Sequence, residues 1–233
     1  MDIIFENDFL IAVNKPAGML SIPDRVQSEP SLKDLLVNKY KEIYTIHRLD
    51  KQTSGIILFA KDAQTHKIMS EKFQSRAIDK FYLGLINGSL LPASGRIEAA
   101  INPHPAIKGK MIVHAKGKPS VTDYETLETF KNFSLVKYQI HTGRTHQIRV
   151  HTQYLGSSIV CDELYGNGKP VFISEIKKDY KLSKKELEEK PVLNRLALHS
   201  SQLQFEFNTE LFTLEAALPK DMRALIQQLR KHQ

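Results

Sequence analysis

The residues most able to do chemistry stand in one short polar stretch ahead of an apolar run. His47-Arg48-Leu49-Asp50 places a histidine, an arginine and a carboxylate within four positions, and Thr53 follows before the run 54–60. Catalytic groups often lie on such loops, because the strand beneath holds them in place. The carboxylate of Asp50 could act as a covalent nucleophile. A solvated turn in which Asp50 caps another element is the alternative that spacing leaves open.

A second polar stretch, Thr142 to His151, reads TGRTHQIRVH. Its pattern predicts a helix over 145–155, with Arg144 just before it and Arg149 in its second turn. Helix N-terminal amides bind anions, and arginine binds carboxylate or phosphate through a forked pair of donors. A basic surface helix is the alternative.

Three histidines, His141, His146 and His151, recur every five residues. Zinc-binding histidines on one helix prefer a spacing of four. Five residues turn a helical side chain by about 500°, or about 140° net, so His146 and His151 would diverge. The spacing therefore argues against a metal site and favours helix capping or RNA contact.

A third stretch, Lys80-Phe81-Tyr82, begins a predicted strand. A tyrosine on a strand commonly packs in the core. Its ring could instead stack on a nucleobase, which aromatic side chains do well. Both interpretations stay open at this point.

The composition favours a polyanionic partner. The 233 residues carry 33 Lys and Arg against 26 Asp and Glu, a formal net charge of +7, and basic proteins gain affinity for phosphates by releasing counterions. No Lys/Arg-rich amphipathic helix supports a membrane surface as the rival partner. One cysteine excludes an internal disulfide and a four-cysteine zinc site. Without an apolar run of ~18 residues or a secretory signal, we expect a cytoplasmic protein.

The predicted elements indicate a mixed α+β sheet within a single domain over 1–233, because strands come in runs with helices scattered between them. Ser31, Asp62 and Asp221 are predicted helix caps. The Lys/Glu-rich stretch 166–190 is predicted to be a charged surface excursion with some helix. The predicted strands cover 9–13, 54–60, 81–86, 121–127, 133–140, 196–207 and 211–218.

Several motifs occurring in order give the chain a specific resemblance. They are Asn14-Lys15-Pro16-Ala17-Gly18, His47-Arg48-Leu49-Asp50 with Thr53-Ser54-Gly55, Lys80-x-Tyr82, Gly117-Lys118-Pro119, Gly143 to His151, Asp162-x-x-Tyr165-Gly166 and Leu198-His199. Together they resemble the RluA-type family of RNA pseudouridine synthases, from about residue 5 to residue 218. The resemblance implies a mainly antiparallel mixed sheet with flanking helices and an RNA-binding cleft. It also implies a member without the extra N-terminal RNA-binding module of some relatives.

The resemblance also implies roles for individual residues. Asp50 matches the catalytic aspartate, Tyr82 the tyrosine that stacks on the target uracil, and Arg149 the basic residue that pairs with that aspartate. Arg48 matches the arginine that enters the RNA and supports the flipped-out base. Five further residues are expected to bind substrate: His47, Thr53, Arg144, His146 and Gln147. No cofactor and no metal are expected.

The expected partner is structured RNA, with large-subunit ribosomal RNA favoured and transfer RNA the alternative. Neither DNA nor a membrane is expected to bind, and we expect a monomer. Lys15, Lys51 and Lys116 are candidate phosphate contacts, with solvated surface lysine the alternative for each. Two rival functions are a non-catalytic RNA-binding protein on the same fold and a metal-dependent hydrolase built on the histidines and carboxylates. Intact Asp50, Tyr82 and Arg149 disfavour the first, because a binder needs no nucleophile, and histidine spacing disfavours the second.

Overall fold

The computed structural model describes residues 2–178, 180–182 and 188–232, and the chain folds into two compact units. The first unit takes the chain up to Tyr82, then Gln139–Thr145 and His199–Ala217. The second takes Leu83–Tyr138, His146–Leu198 and the chain from Leu218 onward. That these units act as the one catalytic domain predicted from the sequence stays a prediction.

Twelve strands and four α-helices are assigned among the described residues. The strands are β1 (Asp2–Glu6), β2 (Leu10–Lys15), β3 (Tyr44–Thr45), β4 (Ser54–Ala60), β5 (Ile78–Asn87), β6 (Ser94–Glu98), β7 (Ile101–Pro103), β8 (Met111–Val113), β9 (Val121–Thr129), β10 (Phe133–Ile140), β11 (Leu198–Phe207) and β12 (Glu210–Glu215). The helices are α1 (Leu32–Val37), α2 (Ala63–Gln74), α3 (Gln147–Tyr154) and α4 (Lys220–Lys231). None of the described helices has the length and apolar character needed to cross a bilayer.

The sheet of the first unit is mixed and mainly antiparallel, which confirms the predicted α+β class. Its strands lie in the order β1, β2, β4, β11, with β3 also beside β4 and β12 beside β11. Antiparallel pairing joins β1 to β2, β2 to β4, β3 to β4 and β11 to β12. The exception is the parallel pair of β4 and β11, in which Ser54 faces His199 and Gly55 faces Ser200.

Strand β4 is the centre of the first unit's core, because all seven of its residues are buried. Ile56 and Leu58 pack on one face with Met69 of α2. Ile57 and Phe59 pack on the other face. A strand covered on both faces reads as a continuous apolar run in the sequence, and it gives the loop that precedes it a rigid base.

The two helices of the first unit begin at the predicted caps. Ser31 and Asp34 form a capping box at the start of α1, and the Asp62 carboxylate accepts the N–H of Thr65 at the start of α2. Each side chain satisfies a backbone donor that the helix itself leaves unpaired.

The second unit contains β9, the part of its predicted hairpin partner β10 up to Tyr138, strand β6 antiparallel to β9, and the two-stranded β7–β8 ribbon. Helix α3 begins at Gln147, two residues later than predicted, because His146 adopts a left-handed conformation with φ 56°. Its residues 147–152 are all buried. The alternative of a basic surface helix is therefore wrong.

Two other predictions from the sequence need correction or stay partly open. Asp221 does not cap α4, which begins at Lys220; its carboxylate instead accepts two hydrogen bonds from Arg195, at 2.7 and 2.6 Å. In the predicted excursion 166–190, Val171 is buried and bridges to Leu193, and a short 3-10 turn follows at Ile173–Glu175. Residues 179 and 183–187 of that stretch lie outside the described residues.

Candidate active site

The loop that carries Asp50 is held by hydrogen bonds on both sides of the carboxylate. Before it, the Leu49 N–H donates to Ser21 Oγ (3.1 Å), and the Ser21 hydroxyl donates to the Leu49 carbonyl (2.8 Å). After it, the Gly18 N–H donates to the Lys51 carbonyl (2.9 Å). Asp50 itself is half-buried. Neighbouring residues therefore hold the backbone on both sides of Asp50.

Lys15 supports the same loop from within the first unit. Its side chain is fully buried, and its ammonium donates to the carbonyls of Pro16 (3.0 Å), Met19 (2.9 Å) and Lys51 (3.0 Å). The expectation of a surface lysine or a phosphate contact at this position is wrong. Carbonyl oxygens from two segments meet there, and the three N–H donors of the lysine ammonium satisfy all three of them.

Replacing Lys15 by Met should lower the free energy of unfolding by about 3 kcal/mol or more. The apolar side chain fills similar space but leaves the carbonyls of Pro16, Met19 and Lys51 without their charged donor, and each such bond contributes roughly 1.5–3 kcal/mol. Urea unfolding of the variant beside Lys41→Met, which changes an exposed lysine, would measure the difference. Equal midpoints for the two variants would contradict the structural role.

Tyr82, on β5, belongs to the same unit as Asp50 and lies close enough to be affected by its charge. The phenol is 8% exposed. Burial raises the pKa of the Tyr82 hydroxyl well above its usual value, the nearby Ser200 hydroxyl opposes that rise, and the charge of Asp50 adds to it. The structure thus brings together two of the three predicted catalytic residues in the first unit.

The predicted substrate-binding residues of the loop have different environments. His47 Nε2 accepts the N–H of Leu58 (3.0 Å), and its ring stacks on Phe73. Burial, together with the positive charge of Lys80, lowers the pKa of His47 to about 3, so the ring is neutral at physiological pH. Arg48 is exposed, whereas Thr53 is buried. Substrate contact by His47, Arg48 and Thr53 stays a prediction.

Arg149 is held by a buried ion pair inside the second unit. Its Nε and Nη2 donate to the two carboxylate oxygens of Asp162, at 2.7 and 2.8 Å, and its guanidinium lies 4.9 Å from the centre of the Tyr165 ring. Asp162 is almost fully buried and also accepts the N–H groups of Leu164 and Tyr165. This two-pronged geometry fixes the plane of the guanidinium. The predicted pairing of Arg149 with Asp50 stays a prediction.

The remaining predicted residues lie on or before α3. His146 Nδ1 is 2.9 Å from the Tyr165 hydroxyl. The amide nitrogen of Gln147 donates to the Val121 carbonyl and to the Thr122 hydroxyl, both at 2.9 Å. Arg144 is half-buried and belongs to the first unit. RNA contact by Arg144, His146 and Gln147 stays a prediction.

The buried histidines have structural partners. His151 contacts the Thr122 hydroxyl and the Ala99 carbonyl, each at 2.9 Å, and so ties α3 to its own unit. His199 Nε2 donates to the Ala216 carbonyl (3.1 Å), so Nδ1 accepts the hydroxyl of Ser54 (2.9 Å). This serine–histidine contact is buried, and it links the parallel strands β4 and β11.

Asp162 and Tyr165 had no predicted role, although their segment is one of the motifs that carry the family resemblance. The Tyr165 hydroxyl accepts the N–H of Met111 (2.8 Å) and meets His146, while its ring lies against Arg149. The Asp-x-x-Tyr spacing was the available signal, because the Asp162 carboxylate caps the turn that delivers Tyr165.

Comparison with known proteins decides the family. Residues 9–154 match the family described as RNA pseudouridylate synthase. The chain is also 32% identical to ribosomal large subunit pseudouridine synthase D of Haemophilus ducreyi, over 99% of this chain and 71% of that protein.

The chain belongs to the RluA-type family of RNA pseudouridine synthases. It is therefore an isomerase that acts on RNA. This pseudouridine synthase is 35% identical to ribosomal large subunit pseudouridine synthase C of Haemophilus influenzae, over 98% of this chain and 69% of that protein. It is 32% identical to the RNA pseudouridine synthase YlyB of Bacillus subtilis, over 100% and 74%.

The fold of the pseudouridine synthase agrees with that family. The solved structure of human RNA pseudouridylate synthase domain containing 4 superposes with a TM-score of 0.75 at 24% identity, covering 98% of this chain and 93% of that one. At 24% identity, this structural similarity supports the assignment of the fold alone. The predicted fold class is confirmed.

Proposed function

We propose that this pseudouridine synthase modifies uridine in large-subunit ribosomal RNA, working as a monomer in the cytoplasm. The observation that carries the proposal is the identity of 32–35% with synthases C and D of the ribosomal large subunit, over nearly the whole chain. The net charge of +7 favours a polyanionic substrate of this kind.

In the proposed reaction Asp50 supplies the ionised carboxylate. The bond between the ribose carbon and the uracil nitrogen breaks, the base turns, and a bond forms from the same ribose carbon to a ring carbon. The ring carbon loses one proton and the nitrogen gains one, so atoms and electrons balance without an oxidant. Attack on the sugar, attack on the base and proton abstraction from the sugar each require this carboxylate.

The uridine must leave its stack before it can meet Asp50, and eversion costs a few kcal/mol. We assign Tyr82 as the platform for the everted ring, since stacking returns roughly 1–3 kcal/mol. Arg48, two residues before Asp50 and exposed, supports the flipped nucleotide. His47, Thr53, Arg144, His146 and Gln147 complete the proposed substrate contacts.

Arg149 is the proposed partner of the Asp50 carboxylate. Asp162 occupies the Nε and Nη2 donors of the guanidinium, and arginine offers five N–H donors on two usable edges. In the proposed arrangement one edge of the Arg149 guanidinium binds the structural carboxylate of Asp162, and the other edge binds the catalytic carboxylate of Asp50.

The target class is tested by conversion of two RNAs under identical conditions. Purified protein would be incubated, with and without a chelator, with uridine-labelled transcripts of large-subunit ribosomal RNA and of transfer RNA, and the Asp50→Asn protein would serve as the blank. We expect pseudouridine in the ribosomal transcript. Conversion confined to transfer RNA would contradict the proposed target. Binding without conversion would support the non-catalytic alternative, and chelator-sensitive cleavage would support the hydrolase.

A further inference from the structure

The hydroxyl of Ser200 is buried without a partner. Ser200 lies on β11 and is fully buried, yet its Oγ has no hydrogen-bond partner among the described residues. Leaving such a group unsatisfied destabilises the folded state. Every other buried serine that the structure describes has a hydrogen bond through its hydroxyl: Ser21, Ser31, Ser54, Ser120 and Ser134. An exception of this kind calls for a physical reason.

Ser200 stands next to the proposed base platform. Its strand neighbour Ser201 donates from its hydroxyl to the carbonyl of Phe81 (3.2 Å), which places Ser200 beside Tyr82. The Ser200 hydroxyl lies near enough to the Tyr82 phenol to lower the pKa of that phenol as a hydrogen bond would, but the pair falls outside hydrogen-bond geometry. The Tyr82 phenol is therefore a close neighbour of the Ser200 hydroxyl that does not satisfy it with a well-formed hydrogen bond.

The residue opposite Ser200 on the neighbouring strand has no side chain that could bond the Ser200 hydroxyl. The residue that pairs with Ser200 on β4 is Gly55. The two backbones approach so closely that a Cβ on Gly55 would lie 2.1 Å from the Ser200 carbonyl oxygen, and Gly55 has φ +112°. No side chain from that position on β4 reaches the Ser200 hydroxyl.

We propose that the substrate supplies the missing partner: the Ser200 hydroxyl hydrogen-bonds a carbonyl or N–H group on the edge of the everted uracil. This inference rests on the proposed function and assigns a base-recognition residue. Stacking on Tyr82 does not fix the rotation of the base within its own plane. A hydroxyl both donates and accepts, so it can bond a carbonyl before the base turns and an N–H afterwards.

Thr53, which belongs to the same unit as Ser200, shares this feature. Its hydroxyl is also buried without a partner, and its N–H donates to the Asp50 carbonyl (3.1 Å). The hydroxyls of Thr45 and Thr126 are unpaired as well, but that of Thr53 belongs to a residue only three positions from Asp50, where a site built to receive a polar base would need one. Ser200 is the sharper test, because alanine removes its hydroxyl with the least change in shape.

The experiment compares Ser200→Ala with Ser21→Ala, whose hydroxyl has partners within the protein. For Ser200→Ala we expect Tm to stay the same or rise, because an unsatisfied buried group is removed. We also expect kcat/KM on the RNA that the wild type converts to fall about tenfold. Ser21→Ala should lower Tm. A fall of several degrees in Tm for Ser200→Ala, or an unchanged kcat/KM, would overturn the inference.

A second measurement tests the contact itself. RNAs with 2-thiouridine or with 4-thiouridine at the target position each replace one of the two uracil carbonyl oxygens by sulfur, a poorer acceptor. The wild type should convert one of them several-fold more slowly than normal RNA, and Ser200→Ala should discriminate less against it; equal discrimination by both proteins against both RNAs would count against the contact. If the wild type converts no RNA, the proposed function fails. If it converts RNA and Ser200→Ala behaves identically, only this inference fails.

Discussion

Replacing Asp50 by Asn is expected to slow RNA conversion by about 10⁴-fold or more, with RNA affinity within about threefold of the wild type. An amide is neither a useful nucleophile nor a base, and removal of an essential nucleophile from other enzymes costs factors of this size or larger. The backbone around Asp50 is held by Ser21, Gly18 and Lys15. The loop should therefore keep its shape when the carboxylate is lost.

Single-turnover conversion with protein in excess would measure the chemical step, and filter binding would measure affinity separately. Asp8→Asn is the matched control, because Asp8 is an exposed carboxylate of the same unit. The control should convert RNA at the wild-type rate. Retention of more than a tenth of that rate by Asp50→Asn would remove Asp50 from the catalytic role.

The second large effect should follow from Arg149→Met. We expect a loss of about 3–5 kcal/mol in the free energy of unfolding, because the buried Asp162 carboxylate loses its counter-charge. We also expect turnover to fall about 100- to 1000-fold, as when a preorganised charge is removed from other active sites. Arg230→Met is the control. Arg230 pairs with Glu128 at the surface, and such pairs contribute roughly 0–1 kcal/mol.

A double variant separates the two roles of Arg149. Arg149→Met combined with Asp162→Asn removes the stranded charge and should recover part of the lost stability in urea unfolding. Turnover should stay low, because the proposed partner of Asp50 is still missing. If turnover recovered together with stability, Arg149 would have only a structural role.

Local signals in the sequence predicted much of the frame that surrounds the site. Ser31 and Asp62 cap helices because a side-chain oxygen beside an amphipathic stretch satisfies free N–H groups wherever it occurs. The apolar run 54–60 became a strand buried on both faces. The polar loop before that strand carries Asp50, as the pattern predicted.

Features that depend on distant parts of the chain were not predictable in the same way. Lys15 looks like any surface lysine until the Met19 and Lys51 carbonyls converge on it. Helix α3 reads as a polar surface helix, yet its buried His151 is matched by the Thr122 hydroxyl. The role of Asp162 as the ion-pair partner of Arg149 is visible only in the folded structure.

The shortest strands were also not predicted from the sequence. Strands β7 and β8 have three residues each, too few for an alternating pattern to appear. Their place depends on contacts such as that of Met111 with the Tyr165 hydroxyl, 54 positions away in sequence.

The most direct test of the central claim is a map of pseudouridine in large-subunit ribosomal RNA from cells that lack this gene. Expression of the wild-type chain should restore at least one pseudouridine missing from those cells. The Asp50→Asn chain, expressed at the same level, should leave that position as uridine. Restoration of the same modification by Asp50→Asn would contradict the assignment of this carboxylate as the group that carries out the isomerisation.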